Sequence, residues 1–359
     1  MPLSHGRSIV SPLARRCAAL SGSLLSGDAG DTQGIAALMP THKGGAPMLK
    51  VGRWTIAAYM LPTFLVILLI NIYPLFYTLN LAFTNKTTFN DLSGNYHYIG
   101  FTNFQYVIQQ TGGDFVRVLL STAFYVVACV GLYVTLGLVT AMALNNSRVK
   151  GKGFWGNALI LPWTVPTFVT ALIWKFLYNF NFGPINQLMR VITHNNNAGV
   201  AWLDQPVAAF AAVVLVNIWM SYPFFMVVSL GALQSIPHDL LEAAEVDGSS
   251  SWQRFRYIML PLLRPALLPA TILSAITSFQ MFNTVYLITS GGPFTSGNIN
   301  SPGATEFLMV YMYDRVQNGG NFFVNYGHVA AIAVLVFIVL FVLTIFSLRF
   351  SNITKEAAR

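Results

Sequence analysis

Long apolar runs separated by short polar stretches dominate the chain from about position 51 onward. A bilayer core about 30 Å thick requires roughly 20 uncharged residues per crossing helix. The runs that meet this requirement are roughly Ile56–Phe83, Val118–Leu144, Phe154–Trp174, Val207–Leu233, Pro265–Thr289 and Val329–Leu348. The pattern therefore predicts an all-α, polytopic membrane protein with six transmembrane helices.

Prolines interrupt several of these apolar runs, at Pro62, Pro74, Pro162, Pro166 and Pro223. A proline breaks a soluble helix, but in a membrane bundle neighbouring helices and hydroxyl groups satisfy the carbonyls that it frees. We therefore expect kinks at these positions and not helix ends.

The composition agrees with a membrane protein, because 55% of the residues are hydrophobic and only 9% are charged. Soluble domains carry about 25% charged residues. Most of the 20 Lys and Arg residues fall in the N-terminal segment and in loops that would share a side with it. The positive-inside rule then predicts that both termini are cytoplasmic. No basic run is interleaved with aromatics on a soluble module, so nucleic-acid binding is not expected.

Residues 1–50 are rich in Ser, Gly, Ala and Pro and show no periodicity. Such a segment buries too little apolar surface to order itself, so we expect a disordered tail before a membrane domain at 51–359. Met39 and Met48 are alternative start positions.

The chain lacks the signatures of an enzyme. Neither a phosphate-binding G-x-x-x-x-G-K-[ST] loop nor H-E-x-x-H nor G-x-S-x-G is present. The only cysteines, Cys17 and Cys129, imply no disulfide framework and no metal site. We therefore predict no catalytic residue, no metal and no cofactor in this chain.

The polar segment between the fourth and fifth runs, at 235–264, predicts a helical hairpin. Its first helix is expected to begin at Ser235, with a proline in the first turn, and to end at Gly248. The second opens on serines that can cap a helix and is expected to end before Pro261.

The first hairpin helix is acidic, and an anionic inner leaflet would repel it. It also presents small apolar residues of the kind that a helix lays into a protein groove. The acidic residues are Asp239, Glu242, Glu245 and Asp247, and the apolar ones are Leu240, Leu241, Ala243 and Ala244. We expect a protein partner here; a solvated connecting loop is the alternative.

The hairpin also resembles the EAA loop of binding-protein-dependent ABC permeases. The matching residues are Glu242, Ala243, Ala244, Asp247, Gly248, Trp252, Phe255, Ile258, Leu260, Pro261 and Pro265. The resemblance implies a type I ABC importer permease fold in a bacterial inner membrane. It implies that the hairpin couples the spans to two copies of a cytoplasmic ATP-binding subunit, which bind the ATP and Mg²⁺. It further implies a second permease subunit and an extracytoplasmic sugar-binding protein.

From about Arg53 to the C-terminus the chain is most similar to the larger permease subunit of maltose and maltodextrin importers. The stretches that carry the similarity are Ile160–Pro166, Phe182–Asn186, Val216–Trp219, Tyr222–Pro223 and Tyr286–Pro293. The resemblance implies transport of a disaccharide or oligosaccharide. An ABC permease for another solute, such as glycerol phosphate, and an ion-coupled secondary transporter are the alternatives.

Polar residues at membrane depth are candidates for the sugar path, although they also serve as interhelical contacts. Asn217 and Ser221 lie one turn apart on the fourth span, about 15 to 21 Å from its outer end. Ser274 and Ser278 share a face of the fifth span with Thr271. Two polar faces are therefore expected to meet at one depth.

Met220, Tyr222 and Phe224 are nearby apolar or aromatic residues that suit the C–H faces of a sugar. The resemblance indicates the same region and also shows a difference. In maltose permeases, the positions that match Asn217, Met220, Ser221, Phe224, Ser274 and Ser278 line the translocation site. Familiar maltose members have Gly, Tyr and Asn where this chain has Ser221, Phe224 and Ser278. Shape and hydrogen bonding are therefore expected to suit another glycan, and trehalose or a longer maltodextrin stay open.

Overall fold

The computed structural model describes residues 53–110, 112–294, 301–317 and 324–351. The tail expected at 1–50 lies outside these residues. The chain divides into two units, Met1–Ile67 and Leu68–Arg359. In the first unit the described residues form helix α1, Arg53–Ile67, which continues through Pro62.

The second unit is helical, and its described residues include isolated β-bridges at Thr84↔Tyr98 and Thr87↔Asn325. A π-helical segment, Leu68–Ile72, comes first, and a second one is Phe255–Met259. The α-helices are α2 Tyr73–Leu81, α3 Thr88–Ser93, α4 Thr102–Gln110, α5 Gly112–Asn145, α6 Lys152–Thr164, α7 Thr167–Leu177, α8 Pro184–Thr193, α9 Pro206–Gln234, α10 His238–Val246, α11 Ser251–Arg254, α12 Leu260–Phe279, α13 Asn283–Thr289, α14 Leu308–Gln317 and α15 Tyr326–Ser351.

Within the described residues, five segments are long and apolar enough to cross a membrane, and the bent pair α6–α7 makes a sixth if it counts as one span. The five are Ala57–Leu81, Gly113–Asn145, Pro206–Gln234, Ser251–Phe279 and Tyr326–Ile345. The prediction of an all-α, multi-span protein is therefore confirmed. The side on which the termini lie stays a prediction.

The expectation that the prolines kink helices without ending them is wrong at Pro166. α6 ends at Thr164, Val165 is extended, and α7 begins after Pro166 with its axis turned by 93°. The residue before a proline is sterically pushed out of the helical region, which explains the extended Val165. At Pro223, by contrast, α9 continues as predicted.

The predicted limits of the fifth span are also wrong. The second hairpin segment does not stop before Pro261, because α11 passes through the π-helical turn into α12. Pro261 occupies the first turn of α12, where a missing N–H costs little. At its other end α12 stops at Phe279, and the residues up to Thr289 form the separate helix α13.

The central packing contact joins α5 and α9, which run in the same direction. Gly137 permits it, because a Cβ at this position would lie 2.5 Å from the Phe225 Cβ. α12 packs against both helices, and these three helices together with residues of α7, α13 and α14 form one buried apolar core. A second core lies between α4, α14 and α15. The parallel course of α5 and α9 is the one expected of spans two and four in an up-and-down chain.

Candidate functional site

A buried hydrogen-bond network joins α5 to α9 in the middle of the bundle. The Asn217 amide nitrogen donates to the Tyr125 hydroxyl over 2.7 Å, and the Ser221 hydroxyl donates to the Asn217 carbonyl oxygen over 3.3 Å. Tyr125 and Asn217 are both buried, whereas Ser221 is half-buried. Asn217 is therefore anchored by Tyr125, and Ser221 is the more accessible member.

A second polar contact joins α5 to α12. The Tyr133 hydroxyl lies 3.4 Å from the Ser278 hydroxyl, and both side chains are buried. Ser274 lies about one turn from Ser278 on the same face of α12 and is half-buried. The structure brings the two predicted polar faces to the same helix, α5, but at two levels and not at the one depth expected, because Tyr125 and Tyr133 are about 12 Å apart along α5. We call Tyr125, Tyr133, Asn217, Ser221, Ser274 and Ser278 the polar layer.

Sequence reasoning missed the two tyrosines, because Tyr counts as nearly apolar in a hydropathy pattern. A weak signal was available in their spacing. Tyr125, Cys129 and Tyr133 recur every four residues, which places them on one face of a helix. All three are buried, so this face of α5 supplies the partners for the residues that the sequence did identify.

Apolar and aromatic groups adjoin the polar layer. Met220 is buried, and Phe224 is half-buried with its ring 6.0 Å from that of Trp163. Tyr222, expected to be a sugar neighbour, instead donates its hydroxyl to the Leu159 carbonyl over 3.1 Å. Tyr222 therefore fastens α9 to α6, and Phe224 is the aromatic surface left near the polar residues.

The polar layer lies beside interrupted helices. Ser278 is the last residue but one of α12, and the chain leaves the helical path at Gln280 before α13 begins. α13 packs against α7, the second half of the bent pair. Non-helical backbone at membrane depth is tolerated only in a protein interior or beside a cavity, and broken helices commonly border substrate sites. Ser278 is thus close to a helix end and not, as expected, near the middle of its span.

The turn of the hairpin has the structure that the sequence predicts. Gly248 has φ +79° and donates its N–H to the Glu245 carbonyl over 3.0 Å. Ser250 caps α11, since its hydroxyl accepts from the Gln253 N–H while the Gln253 side chain accepts from the Ser250 N–H. Ser235 does not cap α10, which begins at His238; Ser235 instead ends α9.

An ion pair holds the two arms of the hairpin together. The Arg254 guanidinium in α11 donates to the Glu245 carboxylate in α10. Beside this pair lies a cleft of about 340 Å³ lined by Asp247, Gly248, Ser249, Gln253, Arg254, Tyr257 and Ile258. The cleft continues the surface of α10 toward the base of the fifth span.

The predicted coupling residues lie at the surface of the hairpin. Glu242, Ala243, Asp247 and Gly248 are exposed, and Ala244 is half-buried. Leu240 and Val246, which are 48% and 88% exposed, add apolar surface to the same helix. α10 therefore offers an acidic and apolar face that no described part of the chain covers.

A buried carboxyl lies at the opposite end of the bundle from the hairpin, in the loop before α14. Glu306 accepts a hydrogen bond from the Gly303 N–H over 2.8 Å. Burial raises the pKa of Glu306, and nearby Asp314 and Asp114 act in the same direction. The Gly303 N–H and Arg315 oppose this shift, and Arg315 lies 3.7 Å from Asp114. The ionised form of Glu306 is therefore destabilised by burial, and its neighbours do not fully offset this effect.

Together, a helical bundle with interrupted spans, an internal polar layer and a hairpin between the fourth and fifth spans define a multi-pass membrane permease. The chain belongs to the family of binding-protein-dependent transport system inner membrane components, whose sequence profile matches residues 133–352. It is accordingly a multi-pass protein of the inner membrane.

Several curated relatives are sugar permeases. The chain is 36% identical over 260 residues to the maltose/maltodextrin transport system permease protein MalF of Yersinia pestis, with 72% of this chain and 48% of the relative covered. It is 31% identical over 297 residues to the trehalose/maltose transport system permease protein MalF of Thermococcus litoralis, with 83% and 93% covered. The galactooligosaccharides transport system permease protein GanP of Bacillus subtilis is 31% identical over 300 residues, with 83% and 70% covered. The chain spans about half the length of the Yersinia pestis relative.

A solved structure shares the fold. It is a bacterial ABC transporter involved in the import of the acidic polysaccharide alginate, with a TM-score of 0.69 at 21% sequence identity. The match covers 83% of this chain and 95% of that chain. At this identity the likeness establishes an ABC importer permease fold and nothing about the substrate.

Proposed function

We propose that the chain is a permease subunit of an ATP-driven importer and forms the path for a disaccharide or oligosaccharide, such as maltose, a maltodextrin or trehalose. The observation that carries the proposal is the exposed hairpin directly continuous with the fifth span, which ends at the polar layer. Motion imposed on α11 therefore has a direct helical connection to Ser274 and Ser278, and the Glu245–Arg254 ion pair joins α10 to α11. The names of the curated relatives support a sugar as the cargo.

Within the path we assign sugar contact to Asn217, Met220, Ser221, Phe224, Ser274 and Ser278. Ser221, Phe224 and Ser274 are half-buried and would meet the sugar first. The hydroxyl groups of Ser221 and Ser274 suit sugar hydroxyls, and the Phe224 ring suits a C–H face, as in other small-molecule sites. Asn217 and Ser278 already have tyrosine partners, so they would bind sugar by exchanging or sharing these hydrogen bonds.

At the hairpin we assign ATPase coupling to Glu242, Ala243, Ala244, Asp247 and Gly248. Their exposed acidic and apolar surface suits a groove with basic residues on a cytoplasmic ATP-binding subunit. Two such subunits would bind the ATP and Mg²⁺, while a second permease subunit completes the path and an extracytoplasmic protein delivers the sugar. Both termini would be cytoplasmic, and residues 51–359 would form the permease domain.

The polar layer favours a neutral cargo over the alternatives. Its members are Asn, Ser and Tyr, all uncharged at neutral pH. An anion such as glycerol phosphate calls for a cationic partner, and ion-coupled transporters place ionisable residues inside the bundle. A neutral sugar needs only the hydroxyl and amide groups that the layer contains.

Sugar uptake by the complex reconstituted in vesicles tests the path. Asn217→Ala and Ser274→Ala should each lower uptake while the complex still assembles. Thr135→Ala is the matched control, because this exposed hydroxyl on α5 bonds only its own helix, at the Gly131 carbonyl. Unchanged uptake in both path variants would remove the assigned site. Binding of a labelled sugar panel to the cognate external receptor would identify the cargo.

A further inference from the structure

Helix α8, Pro184–Thr193, carries an apolar face that the described chain leaves uncovered. Leu188, Val191 and Ile192 recur at i, i+3 and i+4, and they are 60%, 69% and 68% exposed. Phe182, just before the helix, is 70% exposed. Leu188, Val191 and Ile192 lie on one side of the helix, and with the neighbouring Phe182 they form what we call the apolar face of α8.

The opposite side of α8 is fastened to the protein. Asn186 is buried; its amide nitrogen donates to the carbonyls of Phe180 and Val200, and its side-chain oxygen accepts from the Val200 N–H and the Trp202 indole N–H. These bonds tie the first turn of the helix to both connecting loops.

Arg190 ties the second half of α8 in the same way. Its guanidinium donates to the backbone carbonyls of Ala198, Asn181 and Phe180 over 3.1, 3.1 and 2.9 Å. The helix cannot rotate about its axis without breaking the bonds of Asn186 and Arg190. The bonds of Asn186 and Arg190 therefore keep the apolar face directed away from the protein.

The position of α8 in the chain indicates that it lies close to the ends of two membrane spans. Only 178–183 separate it from α7, and α9 begins at Pro206, so spans lie on both sides of it. Lys175 lies in the last turn of α7 and is exposed, and a Lys near the end of a span reaches toward the membrane–water interface.

We propose that α8 is an interfacial helix whose partner is the lipid bilayer itself, with the apolar face inserted at the boundary of headgroups and acyl chains. Short amphipathic helices with one fixed polar side bind this region through their apolar area. The helix would then hold α7, the second half of the bent pair, at the membrane surface. This surface of α8 is separate from the proposed sugar path and from the hairpin.

Spin-label accessibility in the complex reconstituted in phosphatidylethanolamine and phosphatidylglycerol vesicles tests this proposal. Nitroxides are attached at Ile192→Cys and Val191→Cys, with Cys17→Ser throughout; native Cys129 is fully buried, and a sample without an introduced cysteine measures background labelling. Thr193→Cys is the matched control, because Thr193 is exposed and lies on the other side of α8.

We expect labels at 191 and 192 to collide more with lipid-soluble oxygen than with a water-soluble nickel chelate, and the label at 193 to show the reverse. Greater access to nickel than to oxygen at 191 and 192 would mean that the face is in water and would overturn the proposal. Low access to both reagents would also overturn it, because another protein surface would then cover the face. None of these outcomes depends on sugar transport, so the proposed function and this inference fail separately.

Discussion

The Asn217 amide in α9 donates to the Tyr125 hydroxyl in α5 over 2.7 Å, and both residues are buried. Asn217 belongs to the predicted sugar path, whereas a hydropathy pattern does not distinguish Tyr125 from an apolar residue. This hydrogen bond means that a residue of the predicted path also holds α9 and α5 together. A change at either residue should therefore affect the stability of the bundle as well as transport.

Tyr125→Phe removes the acceptor and leaves the Asn217 amide without this partner. We expect the free energy of unfolding in detergent to fall by about 1–3 kcal/mol, the cost of an unsatisfied buried group. A double-mutant cycle with Asn217→Ala should give a coupling energy of at least about 0.5 kcal/mol. Strictly additive effects of the two substitutions would show that the hydrogen bond contributes nothing.

Gly137→Ala tests the close approach of α5 and α9. The added Cβ would fall 2.5 Å from the Phe225 Cβ, so the helices must separate, at a cost of about 1–3 kcal/mol. Gly131→Ala on the same helix is the matched control, since its Cβ would meet no atom within 4 Å. Replacing this glycine should be neutral or stabilise by up to about 1 kcal/mol. Equal melting temperatures for the two variants would contradict the packing described.

Gly248→Ala tests whether the turn of the hairpin matters for coupling. Gly248 has φ +79° and Gly94 has φ +69°, and a Cβ at either position would meet no atom within 4 Å. Both substitutions therefore carry the same kind of backbone strain, about 1–2 kcal/mol. We expect only Gly248→Ala to lower the ATPase stimulation of the assembled complex. If Gly94→Ala lowered it as much, the effect would come from general destabilisation.

Glu306→Gln should change how stability depends on pH. The pKa of Glu306 is raised in the folded protein by burial, so the folded state holds this proton more tightly than the unfolded state. The stabilisation is complete below the unfolded pKa and is lost as pH rises through the folded pKa. Glutamine keeps an acceptor for the Gly303 N–H without the charge.

We therefore expect the variant to be at least as stable as the native chain at pH 7, with the difference between them shrinking or reversing as the pH falls toward 4. Thermal unfolding of both proteins across this pH range is the measurement. The difference isolates Glu306 from Asp314, whose pKa is also raised by burial. Parallel pH curves would show that Glu306 titrates alike in both states.

The sequence predicted the helices and the turn of the hairpin because these follow from local patterns. The apolar run at 207–233 agrees closely with α9, and Gly248 ends the first hairpin arm as its residue type suggests. Both are properties of single segments, read from hydropathy and from backbone preference.

What the sequence did not predict depends on contacts between segments. The 93° bend at Pro166 has a local cause in the proline, but the sequence did not show that this proline ends a helix while Pro62 and Pro223 do not. The break after Phe279 has no proline to indicate it. Pro261 was expected to end a helix, but a preceding π-helical turn lets the chain continue. The spacing of Tyr125 and Tyr133 was only a weak signal, because their partners come from the packing of α5 against α9 and α12.

The central claim is that the hairpin transmits ATP-driven motion to the polar layer, and Glu242→Lys tests it most directly. The measurement is the rate of ATP-dependent sugar uptake by reconstituted complexes in the presence of the external receptor. Asp204→Lys carries the same charge change at an exposed site at the other end of α9 and serves as the control. The account predicts that Glu242→Lys abolishes assembly with the ATPase or lowers uptake at least about tenfold, a loss of about 1.4 kcal/mol, while Asp204→Lys assembles normally. Full assembly and an unchanged uptake rate for Glu242→Lys would contradict the account.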